Sequence, residues 1–176
     1  MNRQDKFESR GTTQKGEYFE QIVRDWLWER GHRPTRPAHN GAHAIDMFVI
    51  DKAGKVFAID AKAKASRRSF ADTGIDYRHF NVYFDIEKNA NIDVWVFFGD
   101  HISGDVYGAT LADLRAPKMN PPGCKPGMYP RIEGQIIYFP LSNMSKLFSL
   151  SDKQCAALRE LTKKDEKQCD MFGLAA

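Results

Sequence analysis

Apolar residues recur at Phe19, Ile22, Val23, Trp26 and Leu27, the three-and-four spacing of one helical face. Thr12 or Thr13 can cap this helix, which runs to about Arg30 before Gly31 ends it. The segment His32–Gly41 follows, and its two prolines and Gly41 predict a loop without regular structure. Ala44–Ile50 and Val56–Ala63 then read as two strands joined across Asp51–Lys55 as a hairpin. A helix is expected over Ile75–Asn89, a fully apolar central strand at Val94–Phe98, and another strand at Val106–Thr110 with a helical turn at Leu111–Arg115.

Residues 117–130 contain five prolines and two glycines and predict a long irregular loop, which could serve as a lid, a DNA wedge or a variable connection. Gln135–Phe139 reads as the last strand, followed by helical segments at Asn143–Phe148 and Ser151–Lys164. The order of elements describes an α/β domain: a mixed sheet of four or five strands flanked by helices, with a helical C-terminal segment. Residues 1–11 read as a flexible arm, 12–164 as a single domain with its core in 12–116, and 165–176 as a flexible tail.

Composition narrows the class. The chain has 176 residues, 42% hydrophobic and 28% charged, which suits one domain with a proper core. No apolar stretch approaches the roughly 18 residues of a membrane span, and the polar N-terminus lacks the apolar segment of a secretory signal. Three cysteines, Cys124, Cys155 and Cys169, without C-x-x-C spacing suggest neither a disulfide framework nor a zinc knuckle. A reducing cytoplasm fits. The net charge of +3 does not itself indicate nucleic acid, but Lys62, Lys64, Arg67 and Arg68 fall within seven residues. Such a cluster either follows a phosphate backbone or is a solvated strand end.

The informative chemistry lies at Asp46 and at Asp60-Ala61-Lys62. Alternation along the strand puts Val56, Ala58, Asp60 and Lys62 on one face and Phe57, Ile59 and Ala61 on the other. An aspartate ending so apolar a strand needs a partner, and Lys62 can be one. Pairing the two strands brings Asp46 and Asp60 together, and a shared divalent cation relieves their repulsion. Oxygen ligands alone, with the Ala61 carbonyl as a further one, select Mg²⁺ or Mn²⁺. Lys62 can then orient the attacking water or stabilise charge on a phosphate. The helix adds a third acid. At ~100° per residue, Glu20 sits on the border of the apolar stripe and Glu17 nearly opposite, so Glu20 is the choice and Glu17 reads as solvated.

The series Lys15-Gly16-Glu17-Tyr18-Phe19-Glu20, Ala44-Ile45-Asp46 and Ala58-Ile59-Asp60-Ala61-Lys62 resembles the PD-(D/E)xK nuclease superfamily. Order and spacing resemble archaeal-type Holliday-junction resolvases and related phage and plasmid nucleases, over roughly residues 15–100. The resemblance implies a restriction-endonuclease-like fold and a Mg²⁺- or Mn²⁺-dependent deoxyribonuclease. In it Asp46 and Asp60 bind metal, Glu20 assists, and Lys62 serves the water or the phosphate. Ile45 stands where that family has proline, Asp60 where glutamate is commoner, and Tyr77, His79 and Asn81 occupy the helix where a glutamine is expected. Resolvase-like relatives work as dimers because two strands must be cut, so a homodimer is implied as well.

The C-terminal Gln168-Cys169-Asp170-Met171-Phe172 is similar to the bacterial sliding-clamp-binding motif. Gln168, Asp170, Met171 and Phe172 would dock on the clamp as a flexible peptide, unless the tail is a helix packing Met171 and Phe172 on the domain. The competing reading of the whole chain is a non-catalytic protein that grips DNA or the clamp. His39 and His43, in a loop broken by Gly41, read as solvated, and Trp26, Trp28 and Trp95 as packing residues.

Overall fold

The computed structural model describes residues 11–37, 44–67, 70–115 and 130–171, with the side chains of 164–171 outside that description. The arm before residue 11, His39, His43, Arg68, residues 117–129 of the expected loop with Cys124, and Phe172 lie outside the described residues.

Helix α1 (Gly11–Glu29) matches the predicted stripe, burying Phe19, Ile22, Val23 and Leu27. A short strand β1 (Arg33–Thr35) comes next, then β2 (Met47–Ile50), β3 (Val56–Lys62) and β4 (Asp72–Asp76). Helix α2 (Tyr77–Ala90), β5 (Asp93–Gly99), β6 (Asp105–Thr110) and the short helix α3 (Leu111–Arg115) follow. Strands β7 (Arg131–Glu133) and β8 (Ile136–Pro140), a 3₁₀ turn at Leu141–Asn143, β9 (Ser145–Ser149) and helix α4 (Asp152–Met171) complete the described chain.

Six strands form the main sheet in the order β1-β2-β3-β5-β6-β9. β3 and β5 are parallel and the other neighbours antiparallel. A smaller antiparallel sheet has the order β4-β8-β7. One face of the main sheet packs on α1 and α4, through Phe19, Val23, Met47, Ile59, Phe97 and Leu158. The other face joins Ala58, Val96 and Phe98 to Tyr83 of α2, Ile75 and Phe139 of the small sheet, and Leu114 of α3. Gly99 permits the closest approach of α1: a methyl group there would overlap the Phe19 ring.

Five elements differ from the sequence expectation. β1 forms inside the segment expected to be a loop; Pro34 is tolerated because β1 is an edge strand. β4 and β7 were not expected. Ile75, expected in the helix, is in β4 opposite Ile137, and Asp76 starts α2 by accepting the Arg78 N–H at 2.9 Å. The helix expected at Asn143–Phe148 is instead the 3₁₀ turn and β9. The spacing of Met144, Leu147 and Phe148 reads as helical, but the open edge of β6 supplies backbone partners, and the segment pairs there. α4 also continues through residues 165–171, where a tail was expected.

No helix among the described residues is long and apolar enough to cross a membrane, and Cys155 is a buried free thiol.

Candidate active site

The β2–β3 register sets the centre of the site. The ladder pairs Met47 with Ile59 and Phe48 with Ala58. One step further, Asp46 stands opposite Asp60, where the strands end. There the Asp46 carboxylate caps the ladder, accepting the Ala61 N–H at 2.7 Å, while its own N–H donates to the Ile59 carbonyl at 2.9 Å. Alternation holds as expected: Ile59 and Ala61 face α1, and Asp60 faces α2.

Asp60 is fully buried and partnered on both oxygens. The Lys62 ammonium donates to Oδ1 at 2.7 Å and the Tyr83 hydroxyl to Oδ2 at 2.5 Å. The expected Asp60–Lys62 partnership is therefore present, and Tyr83 is a partner the sequence reading missed. Burial against this carboxylate pushes the Tyr83 phenol well above its usual range, so it is held as a donor. Burial disfavours the Lys62 ammonium, but Asp60 and Asp46 outweigh it and hold that pKa above the ordinary value.

Asp46 is 7% exposed. Burial first, then the charges of Asp60 and Glu20, push its pKa up to about 9, against the opposing effects of Lys62 and the Ala61 N–H. Glu20 reaches the site from α1, as its place on the stripe border predicts. Its carboxylate is bound by Arg36, just after β1, at 2.5 Å. No sequence signal pointed to Arg36, because the unexpected strand β1 carries it there.

One helical turn before Tyr83 lies His79, whose Nδ1 is buried without a hydrogen-bond partner among the described residues. Burial, then Lys62, lowers its pKa. The His79–Tyr83 spacing was visible in the sequence. That this face of α2 looks onto Asp60 was not.

The basic cluster divides. The Lys64 ammonium donates to the Gly74 carbonyl at 3.2 Å, and burial and Lys62 lower its pKa. Arg67 makes a two-pronged pair with buried Asp72, at 2.7 and 2.5 Å, a third bond to Glu133 at 2.7 Å, and stacks on the Tyr138 ring. It ties the segment after β3 to the small sheet. Asp100 adds a second tie, accepting the Ser66 hydroxyl at 2.8 Å and the Ile102 N–H at 2.8 Å.

The donor set is chemically suited to a hard divalent cation. Asp46 and Asp60 supply only oxygens, crowded enough to raise the Asp46 pKa, and one bond on each Asp60 oxygen leaves further lone pairs. Among the described residues, no three His, Cys, Asp or Glu side chains are gathered as a metal-binding group.

In the C-terminal helix, the backbone of Gln168–Met171 forms the last turn of α4.

Compared by sequence with models of protein families and with curated proteins, the chain matches none. In three dimensions it is similar to Hjc, a Holliday junction resolvase from the archaeal hyperthermophile Archaeoglobus fulgidus. The TM-score is 0.52 at 12% identity, over 74% of this chain and 95% of that one. The likeness establishes the fold: a mixed sheet flanked by helices, arranged as in that structure.

Proposed function

We propose that the chain is a divalent-metal-dependent DNA endonuclease acting on branched or flapped DNA. The observation that carries this reading is the meeting of Asp46 and Asp60, beside Lys62, on paired strands of a fold shared with a Holliday junction resolvase. Asp46, Asp60 and the Ala61 carbonyl are the donors assigned to Mg²⁺ or Mn²⁺, with Glu20 assisting. Bound there, the ion supplies a Lewis acid and an activated water. Lys62 offers its ammonium to the water or to charge developing on the phosphate. Tyr83 fixes the Asp60 carboxylate by donating to Oδ2, and Arg36 holds Glu20.

Lys64, Arg67 and Arg68 are assigned to the DNA backbone, Arg67 while keeping its bonds to Asp72 and Glu133. A homodimer would bring two such centres to two strands. The C-terminal Gln168, Asp170, Met171 and Phe172 would recruit the enzyme to a sliding clamp, the helical turn at 168–171 opening to do so. The compartment assigned is the cytoplasm.

The test is cleavage of linear, flapped and four-way DNA with Mg²⁺, Mn²⁺ or EDTA, alongside Asp60→Asn. Metal-dependent cutting that disappears in the variant supports the enzyme. Undiminished cutting by Asp60→Asn would sink it. A second reading, a non-catalytic DNA- or clamp-binding protein, draws on the presence of a partner, Lys62 or Tyr83, on each Asp60 oxygen. It predicts DNA binding with no cutting under any divalent ion.

A further inference from the structure

The edge strand β1 delivers Arg36 to the candidate site. Its ladder with β2 ends at the Thr35–Phe48 pair. One step further, Arg36 stands across from Met47, whose side chain is buried on the α1 side of the sheet. From there the guanidinium reaches Glu20 on α1, donating from Nη2 to Oε2 at 2.5 Å. The Glu20 side chain is 16% exposed and that of Arg36 43%, so the carboxylate is mostly enclosed under a more exposed cation.

This pair bears on how many cations the site can hold. Glu20 acts electrostatically on both Asp46 and Lys62, so these side chains share one field with Asp60 and Arg36. Yet Glu20 is not gathered with Asp46 and Asp60 as a metal-binding group. Its carboxylate is turned to Arg36 instead. With Asp46, Asp60 and Glu20 ionised against Lys62 and Arg36, the set carries one excess negative charge. One divalent ion turns that into one positive charge, which a single DNA phosphate neutralises. A second ion would raise it to three positive charges in close quarters.

We propose that Arg36 is a positioning residue that stands in for a second divalent cation, holding Glu20 out of the ligand set so that the site takes one ion, at Asp46 and Asp60. Two-ion phosphodiesterase sites space their metals about 3.5–4 Å apart to clamp the attacking and leaving oxygens. Here a guanidinium carried by the chain fills the second place, charged at every working pH and independent of the metal supply. The inference rests on the metal-dependent reading above.

The test counts Mn²⁺ bound per full chain, from the electron paramagnetic resonance signal of the free ion, in protein first stripped with EDTA. At about 1 mM free Mn²⁺, wild type and Arg36→Lys should each bind one ion. Arg36→Ala, which releases Glu20, should bind two. The double variant Arg36→Ala with Glu20→Gln should return to one, which a merely structural role of Arg36 would not produce. If circular dichroism shows Arg36→Ala misfolded, Arg36→Gln removes the charge at similar length and should bind two. Two ions in wild type, or one in the folded charge-removing variant, overturn the proposal and leave the Asp46–Asp60 metal site standing. A second ion that persists in the double variant overturns it as well, because that ion is not on Glu20. A wild type that binds no Mn²⁺ overturns both this inference and the metal-dependent reading.

Discussion

Asp46→Asn isolates the electrostatic crowding at the site. Asparagine keeps an oxygen for the Ala61 N–H but removes the charge that Asp60 and Glu20 oppose. In the unfolded chain Asp46 ionises near 3.8, whereas in the folded protein it holds its proton to about 9. Between those values the folded state keeps a proton that the unfolded chain has released, so stability is greatest at low pH and declines as pH rises. The slope is up to about 1.4 kcal/mol per pH unit. From pH 5 to pH 8 the variant should therefore gain on wild type by up to about 4 kcal/mol. For a chain of this size that is roughly 8–16 °C in Tm. Thermal melts in EDTA at matched pH and ionic strength measure it, and a relative gain of about 4 °C or more is expected over that interval. Repeating the melts with Mn²⁺ should raise wild-type Tm at pH 8 and leave Asp46→Asn nearly unmoved, because the ion neutralises the same repulsion. Parallel pH curves for the two proteins would refute the reasoning, since they would mean that Asp46 is ionised without cost beside Asp60.

Three other expectations follow from contacts described above. Tyr83→Phe removes the hydroxyl on Asp60 Oδ2 and should cost about 1–3 kcal/mol of stability by chemical denaturation; an unchanged midpoint would show that Asp60 does not need this donor. Arg67→Ala removes the two-pronged pair on the buried Asp72 carboxylate and should cost about 1–3 kcal/mol, whereas a side chain serving only DNA would lower affinity and leave denaturation unaltered. Gly99→Ala forces a methyl against Phe19 and should destabilise by about 1–3 kcal/mol through displacement of α1; a neutral result in the same assay would mean that α1 yields freely.

The sequence by itself determined the elements whose patterns are local. α1 follows from a helical stripe, β3 from two-residue alternation, and β5 from a continuous apolar run, and each signal is the direct imprint of burial on one or two faces. The Asp60–Lys62 pair was legible for the same reason, since residues two apart on a strand must share a face. So was the approach of Asp46, because an antiparallel register fixes what stands opposite. Other features depended on partners distant in the chain. β9 carries a helix-like spacing and became a strand because β6 had an open edge. β1 formed around a proline because only one side of it needed pairing. Tyr83 drew no reading from the sequence, because only the parallel β3–β5 connection lays α2 over Asp60. Arg67 read as one of four basic residues, and the fold of β4 and β7 around Asp72 and Glu133 gave it a structural partner. Local periodicity fixes which face of an element is buried; which groups meet across that buried face is settled only when the elements pack.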